Sequence, residues 1–247
     1  MISNHHPLTS ITFLKFRGIG DCWWALRQMQ SAKGSLKSVH GLNFFKLLGS
    51  GGGNGFSIVP DLTTYAFLAV WESSSDADQF FNNHPFSQQA LTRSTRYWTV
   101  FLEPTQVKGS WEGSQPFPVI AEAASDGPVA VLTRATIYPS KLLSFWQHVP
   151  VVSRRLEYHQ AGLLFSKGIG EIPLLQQATF SVWKSREAMV AYAYQSAKHR
   201  EMIKKTKALG WYKEELFAEF IPVRTAGNWP DLDEQILFSK NNFSPAG

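Results

Sequence analysis

The hydrophobic pattern of the chain occurs twice. The segment YAFLAVWESSSDADQFF (65–81) resembles QATFSVWKSREAMVAYA (177–193); in both, an alternating apolar strand ends in Val-Trp before a serine-containing turn begins a helix. Trp71 and Trp183 align at an offset of 112 residues. We interpret this pattern as an internal duplication.

The elements around the two copies follow the same order. Each copy opens with a strand and a tryptophan-bearing helix, continues through a short strand and a glycine-rich connection, and closes with the strand–Trp–helix unit and a last apolar strand. This order is the split βαβ, or ferredoxin-like, pattern, whose antiparallel sheet carries helices on one face. The other face needs a cover, which a second copy supplies. The sequence therefore predicts an α+β fold in which two tandem ferredoxin-like halves form an intramolecular dimeric-α+β-barrel.

Composition divides the chain further. We assign residues 8–106 to the first ferredoxin-like half and residues 128–225 to the second. Residues 107–127 are rich in Gly, Ser and Pro and lack a clear period, which is typical of a linker. Residues 226–247 are expected to be a loosely held C-terminal tail.

The chain is rich in aromatic residues and poor in charge. Of its 247 residues, 14% are aromatic and 17% are charged, so large apolar surfaces need a deep core, a large apolar ligand or a partner interface. The net charge is +5, but the strongest basic run (198–207) is typical of the solvated face of a helix. Because no recognition motif accompanies it, we expect no nucleic-acid binding.

Cysteine and hydropathy narrow the class of protein. Cys22 is the single cysteine, which excludes an internal disulfide and a cysteine-based zinc or iron–sulfur cluster within one chain. Neither a secretory leader nor a run of 18 apolar residues is present, so we expect a cytoplasmic protein. A barrel completed within one chain needs no partner, and monomer and homodimer both stay open.

His199 is the main candidate for chemistry. The predicted helix 185–206 carries a stripe with spacings of 3, 4, 3 and 4, so His199 faces inward among apolar and small neighbours. One interpretation is a core histidine bonded to a backbone carbonyl. The other is the proximal ligand of a haem iron, presented to the inside of the doubled barrel beside an apolar cavity. The stripe consists of Met189, Tyr192, Ser196, His199 and Ile203.

Other candidates have a structural interpretation or stay open. His84 precedes a proline at a helix break, and His148 is expected at the surface or as a cap. The run GSGGGNG (49–55) lacks the following helix of a phosphate loop and is expected to be a turn between strands. Arg134 interrupts an apolar strand; inside a barrel it needs an anionic partner or a ligand, and outside it is an ordinary surface arginine.

Several runs resemble the spheroidene monooxygenase family. They include LNFFKLLGSGGGNGF, YWTVFLEP, VLTRATIYPSKLLSFWQHVP, QATFSVW and HREMIKKTKALGWYKEELFAEF, and the resemblance extends from about residue 10 to 225. It implies a haem-dependent, oxygen-dependent monooxygenase that introduces hydroxyl and then keto oxygen near the end of a linear carotenoid. It further implies haem b, a ferredoxin-like electron donor and peripheral contact with the inner membrane, where a carotenoid resides.

A second, looser resemblance concerns the site. The run SVWKSREAMVAYAYQSAKH is similar to the haem-binding dimeric α+β barrel superfamily, in which a histidine of the corresponding helix binds iron. It implies that His199 is the iron ligand. The first copy has His84 followed by Pro85 at this place, which implies one haem per chain, in the C-terminal half. The expected cofactor-binding residues are His199, Tyr192, Ser196, Ile203 and Trp183.

The catalytic residues are less well defined. Arg134, Trp146 and Gln177 are expected near the reacting atoms from their positions on a facing strand and helix. Three alternatives stay open: a haem enzyme of different chemistry that resembles aldoxime dehydratase, a cofactor-free monooxygenase, and a non-catalytic binder of hydrophobic pigments.

Overall fold

The computed structural model describes residues 6–52, 59–122, 126–148, 162–195, 205–206, 208–230 and 232. The strands are β1 Leu8–Lys15, β2 Leu42–Gly51, β3 Pro60–Trp71, β4 Arg96–Gly109, β5 Val129–Ile137, β6 Leu163–Gly170, β7 Gln176–Trp183 and β8 Tyr212–Gly227. The helices are α1 Ile19–Ser31, α2 Lys33–Lys37, α3 Ser74–Asn83, α4 Pro85–Arg93, α5 Leu142–His148 and α6 Arg186–Gln195, and a 3₁₀ turn spans Pro139–Lys141.

The eight strands form one closed antiparallel barrel. Their order is β1-β3-β2-β6-β7-β5-β8-β4, so the first half (β1–β4) and the second half (β5–β8) each contribute a four-stranded ferredoxin-like sheet. One seam between the halves is long and runs along β4 and β8. The other seam is short and joins β2 to β6 through Gly49↔Gly170 and Ser50↔Ile169. The predicted duplicated α+β barrel is confirmed.

Strand register defines which positions of the two halves correspond. Leu8 pairs with Trp71 as Val129 pairs with Trp183, so β1 and β5 correspond at an offset of 121 and β3 and β7 at 112. The same comparison gives 121 for β2 and β6 and 118 for β4 and β8. Because Gly49 and Gly170 correspond and also pair with each other, the pseudo-twofold axis passes between them.

The barrel interior is packed with side chains. Phe13 lies 4.9 Å from Phe165 and 5.9 Å from Phe180 between ring centroids, and the Trp98 ring lies 4.9 Å from Phe165. The described helices pack on the outer faces of the two sheets, where their apolar side chains form separate clusters with outward-facing strand residues. Core side chains therefore occupy the barrel interior at these positions, where the sequence led us to expect an apolar cavity.

A second repeat closes the ends of the barrel. Gly109-Ser110-Trp111 ends β4 as Gly227-Asn228-Trp229 ends β8, and the two glycines have φ values of 84° and 78°. A Cβ at Gly109 would lie 2.0 Å from the Glu215 carbonyl oxygen, so glycine is required at this turn. Trp111 is 1% exposed, and the Trp229 ring lies 6.0 Å from Phe13.

The predicted linker and tail therefore contribute to the core. Besides Trp111, the segment after β4 buries Phe117, whose ring lies 5.3 Å from that of Phe220. Trp229, from the predicted tail, packs against the same barrel core. The boundaries of the two halves, the linker and the tail stay predictions.

Candidate cofactor and substrate site

The outer faces of the two sheets differ in side-chain size. At corresponding positions, large side chains of the first half are replaced by small or polar ones in the second half. Thr99 and Phe217 show the opposite exchange. The replacements are Leu14 by Ala135, Phe45 by Ser166, Leu47 by Gly168, Tyr65 by Gln177, Phe67 by Thr179 and Phe101 by Glu219.

Small or polar residues on the outer face of the second-half sheet form a surface that we name the shelf. It is composed of Thr133, Ala135, Ser166, Gly168, Gln177 and Thr179. Thr133 is exposed, whereas the corresponding Thr12 is buried and lies 2.8 Å from the Thr99 hydroxyl. In the first half, a cavity of about 20 Å³ lies between α1 and the large side chains of the sheet. The shelf thus lacks the side-chain atoms that fill the sheet–helix gap of the first half.

Trp183 and Tyr192 lie together beside this shelf. Trp183 ends β7, and its ring stacks on Tyr192 of α6 with centroids 5.0 Å apart and an interplanar angle of 30°. The Trp183 indole N–H donates to the Ser181 hydroxyl at 3.0 Å, as Trp71 donates to Ser10 at 2.8 Å. Burial raises the pKa of Tyr192 to about 12, so the phenol stays neutral.

The predicted histidine stripe begins on α6. This helix packs on the outer face of the second-half sheet through Met189 and Tyr192. Met189 and Tyr192, the first two residues of the stripe, are thus directed at the sheet's outer face instead of the barrel interior, because α6 lies outside the barrel. Ser196, His199 and Ile203 lie outside the described residues.

Gln177 and Trp146 lie on this same outer side. Gln177 is half-buried on β7 and pairs in register with Ala135 of the shelf. Trp146 lies on α5, and its indole N–H donates to the Leu174 carbonyl at 3.0 Å, which ties α5 to the β6–β7 hairpin. Both residues border the end of the sheet where the shelf lies.

Arg134 is separated from these two residues. Its side chain points into the barrel and is buried, so the three predicted catalytic residues do not form one cluster. The guanidinium bonds to Glu214, lies 3.7 Å from Glu171, and covers the Trp111 ring at 5.0 Å from its centroid. The anionic partner that an inward arginine requires is therefore supplied by the protein.

Hydrogen bonds hold Glu214 ionised. Burial alone would raise the pKa of this carboxyl, but the Gly113 backbone N–H, the Arg134 guanidinium and the Ser110 hydroxyl donate to it and lower the pKa to about 2. This network cross-links β5, β8 and the turn that closes the barrel. Sequence analysis did not identify Glu214.

Two corresponding lysines join the halves across the barrel. Lys46 of β2 has its ammonium 2.8 Å from the Glu171 carboxylate of the second half. Lys167 of β6 corresponds to Lys46 and lies 3.3 Å from Asp61 of the first half. Burial would raise the pKa of Asp61, but hydrogen bonds from Thr63 and Thr64 hold it well below its usual range. Both short strands carry the pattern Phe-Xaa-Lys (Phe44 and Lys46, Phe165 and Lys167), a signal from which this pair of lysines could have been found.

His84 and His148 make local hydrogen bonds within their own helices or helix caps. His84 caps α4 by accepting the Phe86 N–H at Nδ1 (3.2 Å), which confirms its structural interpretation. The His148 Nδ1 lies 2.8 Å from the Ser144 carbonyl of its own helix. Within the described ranges, no three His, Cys, Asp or Glu residues are grouped to hold a metal ion. The described part of the chain also has no helix long and apolar enough to cross a membrane.

Solved structures define the class of fold. An aldoxime dehydratase in complex with butyraldoxime superimposes with a TM-score of 0.57 at 10% identity, covering 92% of this chain and 81% of that chain. A second aldoxime dehydratase gives 0.54 at 12% identity, covering 92% and 83%. At these identities the likeness concerns the fold alone, and the protein is a duplicated α+β barrel with its helices outside.

Sequence relatives define the family. The chain is 35% identical to the spheroidene monooxygenase of Rhodobacter capsulatus over 92% of its own length and 95% of the relative. It is 33% identical to that of Cereibacter sphaeroides, over 91% and 69%, and 36% identical to that of Rubrivivax gelatinosus, over 76% and 72%. No family model matches the sequence. The chain belongs to the spheroidene monooxygenase family, as its sequence motifs indicated.

Proposed function

We propose that this chain is a haem-dependent monooxygenase that oxygenates a carotenoid or a similar long apolar molecule with dioxygen and electrons from a ferredoxin-like donor. The relatives over nearly the whole chain are named for monooxygenation of spheroidene, which supports the reaction and the substrate class. The observation that carries the proposal is the shelf. The outer face of the second-half sheet has small or polar side chains at positions where the first-half sheet has large ones.

The shelf meets the steric requirement of a planar macrocycle. A haem would need space beside the sheet and a histidine within reach of its iron. Thr133, Ala135 and Thr179 contribute small side chains to such a space. Phe217, which pairs with Thr133, borders it, and Glu219 is neutralised by Arg186 at 3.1 Å. In this proposal His199 would hold the haem iron.

The lining residues have different parts in this arrangement. Trp183 and Tyr192 form a stacked wall at one end of the shelf. The sequence predicts Ser196 and Ile203 on the same helix stripe as His199, where they would line the cofactor. A neutral Tyr192 adds no charge beside the cofactor, because its pKa is raised to about 12. The bound haem supplies the redox chemistry that activates dioxygen.

Gln177 and Trp146 are the residues we assign to the substrate side. The Gln177 side-chain amide can donate a hydrogen bond to an oxygen atom or accept one from a hydroxyl group. It lies on the shelf next to Ala135. Trp146 adds an apolar wall that excludes water from the end of the site. Arg134 acts as a positioning residue, since its ion pairs inside the barrel fix β5, the strand that carries Ala135.

The reaction balances only with an external reductant. One oxygen atom enters a C–H bond of the substrate, and the other leaves as water with two electrons and two protons. A second round at the same carbon gives a geminal diol, which loses water to form a ketone. A ferredoxin-like donor of electrons is therefore part of the proposal.

An absorption spectrum tests the cofactor. The chain is expressed with a haem precursor as wild type, His199→Ala and His84→Asn, the last as a control that keeps a residue able to cap α4. We expect a Soret band in the wild type and in His84→Asn, and its loss or displacement in His199→Ala. A normal Soret band and pyridine-haemochrome yield in His199→Ala would exclude that ligand, and colourless wild type would exclude the haem.

A further inference from the structure

Five large apolar side chains are exposed around one end of the second-half sheet. Their exposed fractions are 43% for Tyr138, 74% for Leu143, 48% for Ile172, 38% for Leu174 and 40% for Leu209. We name these five residues the mouth patch. Single exposed apolar residues are ordinary, but a contiguous group of this kind marks an interaction surface.

Hydrogen bonds place the chain segments that carry the mouth patch next to one another. The Tyr138 N–H donates to the Trp211 carbonyl at 2.9 Å, which brings Tyr138 to the segment that follows Leu209. The Trp146 indole N–H donates to the Leu174 carbonyl at 3.0 Å, which joins α5, with Leu143, to the hairpin. Three separate chain segments thus present apolar side chains at one place.

The hairpin holds Leu174 in a costly conformation. Its φ is 67°, in the left-handed region that bulky residues rarely adopt, at a cost of roughly 1–2 kcal/mol. The Leu175 and Gln176 N–H groups both donate to the Ile172 carbonyl, which fixes the turn. A partly exposed leucine kept in a strained turn favours a role at the surface.

The mouth patch adjoins the shelf. Tyr138 follows Ala135 by three residues along β5 and its extension, and Leu174 precedes Gln177 by three residues toward β7. Ala135 and Gln177 pair with each other across the two strands. A molecule that passes across the mouth patch therefore arrives at the end of the shelf.

The charges around the mouth patch favour an anionic partner. Lys141 and Lys213 are exposed next to it. The acidic neighbours Glu171 and Glu214 turn into the barrel toward cationic side chains. The exposed Glu112 is paired with Lys46 at 2.6 Å, and Glu215 is exposed on β8. Apolar side chains flanked by lysines fit a bilayer with anionic headgroups.

We propose that the mouth patch docks this protein on an anionic lipid bilayer, with Tyr138, Leu143 and the hairpin leucine and isoleucine in the interface. Delivery of a long apolar substrate from the bilayer to the shelf rests on the proposed function; the docking does not. A second copy of the chain is the alternative occupant of this surface.

Flotation with lipid vesicles tests the docking. Purified protein is mixed with vesicles of phosphatidylcholine and phosphatidylglycerol, and with vesicles of phosphatidylcholine alone. The test variant is Leu143→Ser with Ile172→Ser, and the matched control is Ile19→Ser with Leu26→Ser, two exposed positions on α1 of the first half. A second variant, Lys141→Gln with Lys213→Gln, keeps the apolar surface and removes the charge.

We expect the wild type and the control to bind the anionic vesicles alike, and the test variant to bind about tenfold more weakly or worse. The lysine variant should lose about fivefold per lysine on anionic vesicles and nothing on neutral ones. Equal loss in the α1 control, or no wild-type binding, would overturn the proposal. So would a wild-type dimer in light scattering that the test variant dissociates, since a second copy would then occupy the surface.

The haem spectrum of the same samples separates the two proposals. If colourless protein binds vesicles, the docking proposal stands and the haem proposal is wrong. If the haem-loaded wild type does not bind vesicles, the proposed function stands and the docking proposal is wrong.

Discussion

Filling the shelf is the sharpest test of where the ligand lies. Thr179 corresponds to Phe67, and the Phe67 ring reaches α3 and α4, with centroid distances of 5.5 Å to Phe80 and 5.7 Å to Phe86. A phenylalanine at this position therefore spans the gap between sheet and helices. We expect Thr179→Phe to place a ring in the volume proposed for the macrocycle.

The magnitude follows from packing. Forcing a large group into an occupied site costs about 1–3 kcal/mol, or about 5- to 150-fold in affinity. A ring that crosses the whole gap leaves no alternative position for a flat ligand, so the upper end is expected. Protein stability should not fall, because the added ring removes apolar surface from water and fills the gap as Phe67 does in the first half.

The assay combines haem titration with urea denaturation. Haem binding is followed by the Soret band for the wild type, Thr179→Phe, and Gln30→Phe, which adds the same ring on an exposed position of α1. We expect loss of affinity in Thr179→Phe alone, with an unfolding midpoint at or above that of the wild type. If Thr179→Phe binds haem as the wild type does, the ligand does not lie on the shelf.

Two further predictions concern stability. Gly109→Ala should lower the melting temperature far more than Gly113→Ala, because a Cβ at Gly109 meets the Glu215 carbonyl oxygen at 2.0 Å, whereas Gly113 has φ 77° but open space around it; equal losses would mean that strain in φ and not the close approach is the cause. Glu214 has a pKa lowered to about 2, so its contribution to stability is complete above its unfolded pKa and is lost as pH falls through about 2. Urea denaturation between pH 5 and pH 2 should therefore show a smaller pH dependence in Glu214→Gln than in the wild type, and an unchanged slope would contradict the role of its Arg134 bond.

The two barrel-closing tryptophans show why part of the repeat escaped sequence reasoning. Gly109-Ser110-Trp111 and Gly227-Asn228-Trp229 recur at an offset of 118, whereas the strand–Trp units recur at 112 and the first strands at 121. Because loop lengths differ between the halves, no single offset aligns the whole repeat. Strand register aligns each pair separately and makes these correspondences visible.

Arg134 shows that a strand's alternation does not reveal which of its faces lies inside the barrel. Alternation along β5 establishes that Arg134 shares a face with Leu132 and Thr136, but the period of two does not tell which face is inside. Closure of the barrel decides it, since the inner faces of both sheets are buried against each other and the arginine meets Glu214 there. The same closure separates it from Trp146 and Gln177.

The sequence alone determined the duplication, the order of elements, the barrel and the family, because these depend on local periodicity and on motifs that are contiguous along the chain. Only the tertiary structure decided that aromatic and aliphatic side chains occupy the barrel interior, that Lys46 and Lys167 bind carboxylates of the opposite half, and that a shelf of small or polar residues lies outside the barrel. Those features depend on which distant residues face each other across strands and seams, and this pairing is set by register and closure of the sheet.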